Sequence, residues 1–266
     1  MPAIHPTAIV ADGAELGPDV RIGPYCTLGP EVRLGDGVEL ISHVVVAGRT
    51  EIGARTRIFP FATVGLPPQD QKYAGEPSRL VVGARNIIRE HVTMHPGTAS
   101  GGMVTRIGDD GLFMVGCHVA HDCAIGDHVI LVNNATMGGH VQIDDYAILG
   151  GLSAVHQFVR IGAHSMVGGA SAVGADVIPY GLVTGNRALL NGLNIIGLKR
   201  RAFERDTIHT LRGAYRLLFA PEGSFEERLA DVTEMFGNCD PVMDIVNFVR
   251  RSSQRGICQP SPDGEQ

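Results

Sequence analysis

The stretch Gly116-Cys117-His118-Val119-Ala120-His121-Asp122-Cys123 decides how the whole chain is read, because Val119 stands on a ladder of apolar residues spaced by six. The ladder runs Ile107, Phe113, Val119, Ile125, Leu131, Met137, Ile143, Leu149, Val155, Ile161, Val167, Val173. With these as position 1 of a hexad, position 5 is small throughout, reading Cys117, Cys123, Val129, Ala135, Val141, Ala147, Ser153 in succession. Two of every six side chains therefore point inward. Positions 2, 3, 4 and 6 face outward or form corners, and His118, His121 and Asp122 fall on them.

A second ladder climbs from Ile4 to Val64 in the same steps, with small residues at position 5 from Ala8 to Ala62. This pattern predicts a mainly β protein, a parallel β-helix of hexapeptide repeats in which three short strands close one coil. Coils stack at ordinary inter-strand spacing and each buries its neighbour. Glycine follows position 1 at Gly17, Gly23, Gly29, Gly35 and Gly53, as expected where a backbone turns tightly. The ladder breaks twice. Pro67, Pro68 and Pro77 exclude regular strand and place a loop at 66–79, and the glycine-rich run after His95 places another at 96–106.

Residues 1–186 are thus expected to form the repeat domain, 187–252 a C-terminal α-helical domain and 253–266 a loose tail. In the helical part an amphipathic segment runs from Arg201 to Leu218, with Arg201, Arg205, Arg212 and Arg216 as a basic stripe. Ser224 with Glu227 reads as a capping box, and Asp240-Pro241 as the N-cap and first residue of a further helix.

The bulk composition agrees with a narrow, regular core: 35 glycines, no tryptophan and 5% aromatic residues in 266. A net charge of -6 argues against nucleic acid as the main partner. No segment has the length and apolarity of a membrane span, and the start lacks a signal-peptide pattern, so the expected location is cytoplasmic. Cys26, Cys117 and Cys123 sit at the small position 5, where a thiol acts as a buried apolar side chain. With an odd total and no CxxC, neither a disulfide framework nor a thiolate zinc site is expected.

Residues three hexads apart lie in one column. His121 then stacks with Gly139 and Gln157, Asp122 with His140, and Ala120 and Gly138 with His156. This predicts that His121, His140 and His156 converge on one outer corner with Asp122 and Gln157. His128 and His164 fall with Tyr146 in another column and are read as structural. A histidine beside an aspartate can act as a general base, and the Gly139 N–H can hold an oxyanion. Zinc binding is the rival use of several imidazoles and a carboxylate.

At these residues the chain resembles the bacterial UDP-N-acetylglucosamine O-acyltransferases. The likeness is carried by the HPTAIV start, QDQKYAGEPSR, HVAHDC, NNATMGGHV, AVHQF, IGAHSMVGG and NIIGLKRRAF, and it spans nearly the whole chain. The resemblance implies a left-handed β-helix, a homotrimer with active sites between subunits, and transfer of a 3-hydroxyacyl group from acyl carrier protein to the sugar 3-hydroxyl of UDP-N-acetylglucosamine, without metal or other cofactor. By matching position it makes His121 the base, Asp122 its orienting partner and Gly139 the oxyanion donor. His118, His140, His156 and Gln157 would line the sugar and acyl sites, and Asp70 and Lys72 would reach a neighbouring subunit's site. Asn194, Arg200 and Arg201 would hold the nucleotide, and Gly169, at the position that forms the end wall of the acyl groove in the family, would leave that groove open. Two positions depart from the family: Ile196 stands where glutamate is frequent, and Pro96 where arginine is common. The alternatives are a zinc enzyme resembling γ-type carbonic anhydrases, the related N-acyltransferase of lipid A synthesis, and a non-catalytic scaffold.

Overall fold

The computed structural model describes residues 1–251 and 253–261. The hexad ladders wind into a left-handed parallel β-helix with three sheets of 11, 9 and 8 strands. Most strands are two residues long, and each pairs in parallel with its counterpart one coil on: His118 with Thr136, Val119 with Met137. The loops do not disturb this register. Thr63 pairs with Thr93 across the first, and Arg79 with Val104 across the second.

The core follows from the hexads. Position 1 residues such as Val119, Leu131, Leu149 and Val167 are 0% exposed, and so are position 5 residues such as Cys117, Val129 and Ala147. Each large aliphatic side chain contributes about 1.5–3 kcal/mol when fully buried. The ladder fails only at its first coil, where Ile4 is 46% exposed, because no coil lies beneath it to cover that rung.

None of the five position 2 glycines named above has left-handed backbone. Left-handed backbone falls instead at position 4, on non-glycine residues including Tyr25, Phe61, Asp122, His128, His140, Tyr146, Phe158 and His164, with φ between 57° and 67°. Gly17, Gly23, Gly35 and Gly53 answer instead to close approach: a Cβ on Gly23 would lie 1.8 Å from the Ile41 carbonyl oxygen of the next coil. The position 4 corners project side chains outward in stacked columns. His128, Tyr146, His164 and Tyr180 form one such ring stack, as the column reading expected of its first three members.

The helices begin later than the sequence suggested. Gly181–Thr184 and Leu189–Leu193 form an antiparallel hairpin at the end of the 11-stranded sheet, and only then come α1 (Ile195–Arg200) and α2 (Arg205–Leu218). Arg201 caps α1 and so leaves the basic stripe, which begins at Arg205. α3 (Phe225–Phe236) has the expected Ser224–Glu227 capping box; α4 (Asp240–Arg250) has Cys239 as its N-cap, one residue earlier than read from Asp240-Pro241.

Tyr180 Oη donates to Asp244 at 2.5 Å, and Arg160 lies over Phe248 while paired with the buried Asp176 at 2.7 Å, which seats α4 on the β-helix. The segment expected to be a loose tail is also docked. Ile257 bridges to Asp176, Cys258 is 3% exposed, and the Gln259 carbonyl accepts from Leu190 N. Its last part, 262–266, lies outside the described residues.

Candidate active site

The corner beside Val119 gathers the groups the hexad columns predicted, with one exception. Asp122 and His140 occupy successive left-handed corners, φ 60° and 62°, so both side chains project into one column, where His140 stacks on Phe158 at 4.4 Å. His121 Nδ1 lies 2.8 Å from Asp122 Oδ2, and the two imidazoles meet edge to face at 5.1 Å. The Asp122 side chain is 0% exposed and that of His121 16%. A proton on Nδ1 therefore donates to the carboxylate and leaves Nε2 as the free acceptor.

Gly139 explains itself by contact. A Cβ there would lie 2.4 Å from His121 Cε1 and 2.7 Å from Nε2, so only glycine lets the imidazole rest on its backbone. Among the described residues its N–H has no acceptor. His121 and Gly139 line a cleft of about 510 Å³ together with His118, His95, Gln69, Thr136 and Met137. That volume is ordinary for a small-molecule site.

His118 meets Thr93 Oγ1 through Nδ1 at 2.7 Å, and burial pushes its pKa down to about 4, which keeps it neutral. Burial also lowers His140, opposed by the charges of Asp122 and Asp70. Asp70 thus stands near the site of its own chain, on the first loop, where its Oδ1 accepts from Lys72 N at 3.0 Å; Lys72 is exposed.

The exception is His156. It faces a separate depression of about 590 Å³ with Val173, Leu189 and Ile257, and its Nδ1 meets the Gln157 carbonyl at 3.2 Å. It lies in the expected column, one coil beyond Gly138, but does not line the cleft of His121. Gln157 is exposed beside it. Gly169 is exposed with ordinary backbone, and a Cβ there would come closest to the Gly151 carbonyl oxygen, at 3.3 Å.

The residues matched to the nucleotide diverge. Asn194 is the N-cap of α1, accepting from Gly197 N at 3.0 Å and donating to the His164 carbonyl at 2.9 Å. Arg201 donates to the Tyr146 carbonyl at 2.7 Å and rests over that ring. Arg200 is exposed in the last turn of α1, and Ile196 is 67% exposed on the same helix.

Several partners of the dyad escaped the sequence reading. Thr98, from the second loop, donates to both Asp122 oxygens: its N–H to Oδ1 at 2.9 Å and its hydroxyl to Oδ2 at 2.6 Å. Thr105 Oγ1 accepts from Asp122 N at 2.8 Å. Glu76 ties the two loops together, accepting from Ala74 N and Ala99 N at 2.8 and 3.0 Å. His95 is 6% exposed, and its Nδ1 donates to the Leu66 carbonyl at 2.9 Å. A signal for His95 existed: it follows the rung Met94, which pairs with Val119, and so shares the column of Ala120.

His121, Asp122 and His140 also offer ligand atoms within 4.8 Å of one another, the composition of a metal site. The carboxylate argues against that use. Oδ2, the oxygen that faces both imidazoles, already accepts from the Thr98 hydroxyl and from His121, and a cation bound there would have to displace a donor. Cys117 and Cys123 are poor nucleophiles, since burial pushes both thiols up to about 12.

The whole chain, and not this corner alone, has known relatives. The family model described as UDP-N-acetylglucosamine O-acyltransferase, domain 2, matches residues 176–258. The acyl-[acyl-carrier-protein]–UDP-N-acetylglucosamine O-acyltransferase of Caulobacter vibrioides is 58% identical over 97% of this chain and 98% of its own, and that of Rhizobium johnstonii is 50% identical over 97% and 95%. The solved UDP-N-acetylglucosamine acyltransferase of Francisella novicida is 38% identical, with a TM-score of 0.94 over 98% of this chain and 95% of its own. Identity at this level across nearly full lengths carries fold and enzyme class together, and with them the chain belongs to the UDP-N-acetylglucosamine O-acyltransferase family.

Proposed function

We propose that the protein moves a 3-hydroxyacyl group from the thioester of acyl carrier protein to the 3-hydroxyl of UDP-N-acetylglucosamine, the first acylation of lipid A synthesis, with His121 as general base. One observation carries the catalytic assignment. His121 has Nδ1 committed to a buried carboxylate and Nε2 bare in a cleft, beside a glycine N–H without an acceptor among the described residues. Nε2 takes the proton of the sugar hydroxyl as its oxygen attacks the thioester carbonyl. Asp122 holds the ring in that tautomer and stabilises the imidazolium. The Gly139 N–H receives the negative charge that develops on the carbonyl oxygen. When the C–S bond breaks, the imidazolium returns its proton to the departing carrier thiolate, so base and thiol end in their starting forms.

His118, held neutral by burial, and His140 flank the reacting groups, with Asp70 and Lys72 at the rim. Of the three residues matched to the nucleotide, Arg200 is the cation available for a phosphate, while Asn194 and Arg201 shape the surface through α1. His156, Gln157 and Gly169 belong to the acyl side of the site. Three copies would assemble with sites between them. Outward apolar side chains such as Leu152 and Ile196, 68% and 67% exposed, suit burial in such an assembly. No helix among the described residues is long and apolar enough to cross a membrane. The proposed substrates, a carrier-protein thioester and a sugar nucleotide, are met in the cytoplasm, and that is the proposed location.

The test uses purified protein, UDP-N-acetylglucosamine or its 3-amino analogue, and a panel of 3-hydroxyacyl carrier proteins, with the product mapped by mass spectrometry. Acyl transfer to the sugar 3-oxygen is expected; failure with every acyl donor, or transfer only to a 3-amino acceptor, would overturn the reading.

A further inference from the structure

The second loop is cut to fit one carboxylate. A Cβ on Gly101 would land 2.0 Å from Asp122 Cγ, so glycine there lets the backbone close over the side chain; one on Gly97 would meet Val104 N of the same loop first, at 2.1 Å, and Asp122 Oδ1 at 2.7 Å. Between them Thr98, 2% exposed, spends its N–H on Oδ1 and its hydroxyl on Oδ2. Ser100 Oγ lies 3.1 Å from the Thr98 hydroxyl, whose own proton is already given to Asp122. The His121 proton goes to the same Oδ2. The Thr105 hydroxyl accepts from the Asp122 N–H, so backbone and carboxylate are each held by a threonine.

We propose that Thr98 is a positioning residue for acyl transfer: by fixing both oxygens of Asp122 it sets the direction in which His121 presents Nε2 to the sugar hydroxyl. The proposal rests on His121 being the base. Thr98 does not line the cleft; it acts through Asp122. Without its hydroxyl, Oδ2 keeps only the His121 proton as donor, and the carboxylate, held at Oδ1 by the Thr98 N–H, can twist about Cβ–Cγ with the imidazole following it. The Oδ2 that orients the imidazole then no longer has one position, and the reacting nitrogen samples poses outside attack distance. Glu76 extends this arrangement to the first loop, since its carboxylate holds Ala99 beside Thr98 and Ala74 beyond Lys72.

Three variants test it by steady-state kinetics with acyl carrier protein thioester and UDP-N-acetylglucosamine. Thr98→Val keeps the buried volume and the backbone N–H but removes the hydroxyl, and should lower kcat about 10- to 100-fold, the range for a charge-assisted hydrogen bond. KM for the sugar nucleotide should move less than about threefold. Thr98→Ser keeps the hydroxyl and should restore most of the lost turnover. In a His121→Ala background, Thr98→Val should cost almost nothing further, because the group it positions is gone. An unchanged kcat in Thr98→Val, a loss confined to KM, or a serine variant as slow as the valine would each overturn the inference while leaving the base assignment intact. The same holds for a full additional loss in the His121→Ala background. Should His121→Ala itself keep wild-type turnover, the base assignment fails, and this inference with it.

Discussion

Gly139→Ala is the sharpest single perturbation, because the damage can be worked out in ångströms. Gly139 does not have left-handed backbone, so alanine is tolerated conformationally; the difficulty is the methyl group, which would sit 2.4 Å from His121 Cε1 and 3.0 Å from Nδ1. Ordinary contact needs about 3.5 Å, so the ring must retreat by about 1 Å. It cannot do so freely, since Nδ1 is held 2.8 Å from Asp122 Oδ2. A displacement of that size breaks the bond. Misplacing a reacting group by about 1 Å costs on the order of 10²-fold. The variant should therefore lose about two decades of kcat, with a melting temperature within a few degrees of wild type. The assay is carrier-thiol release under saturating UDP-N-acetylglucosamine, paired with a thermal melt. Turnover within threefold of wild type would refute the contact argument, and a collapse of the melt would show that Gly139 is a folding residue.

Gly169→Met places a side chain on exposed, unstrained backbone, so the variant should fold. Filling the acyl groove there should shift preference towards shorter chains at least tenfold, each excluded methylene being worth about 0.8 kcal/mol, and equal losses for all chain lengths would contradict it. Arg212 and Arg216 are exposed on α2 in an otherwise acidic protein. Charge reversal at both should raise KM for acyl carrier protein and flatten its salt dependence; unchanged kinetics would leave them a solvated helix face. His118 has its folded pKa pushed from 6.5 down to about 4, so between those values the unfolded chain takes up a proton that the folded one declines. Stability should accordingly be full above the unfolded pKa and decline as pH falls through that window, and His118→Gln should flatten this part of a Tm-against-pH curve. Because Asp122 Oδ2 already accepts from Thr98 and His121, extensive chelation should leave turnover unchanged; loss of activity restored by zinc would favour the metal reading.

What could be read from the sequence was whatever the hexad period controls. The period decides which side chains enter the core and which stand one above another, so Val119, Cys117 and the stacking of His140 over Asp122 followed from counting. The period also carried a wrong inference about glycine: it marked Gly23 as special but could not distinguish a tight turn from close approach to the Ile41 carbonyl. Inserted loops obey no period. Thr98 and Glu76, which have no rung to place them, are long-range partners of Asp122 and of each other's loop, and only the folded chain brings them together. The segment after α4 looked loose because it is short and polar, yet its Cys258 and the Asp176 bridge anchor it on the last coil. Asn194, matched to the nucleotide by resemblance, is also the cap of α1, a role that could not be read without knowing where that helix begins.

The account stands most directly on His121, and its turnover after substitution by alanine is the measurement that tests it. With the oligomer mass and melting temperature unchanged, His121→Ala should transfer the acyl group from carrier protein to UDP-N-acetylglucosamine about 10²- to 10⁴-fold more slowly than wild type. Turnover retained within about threefold in a well-folded His121→Ala protein would contradict it.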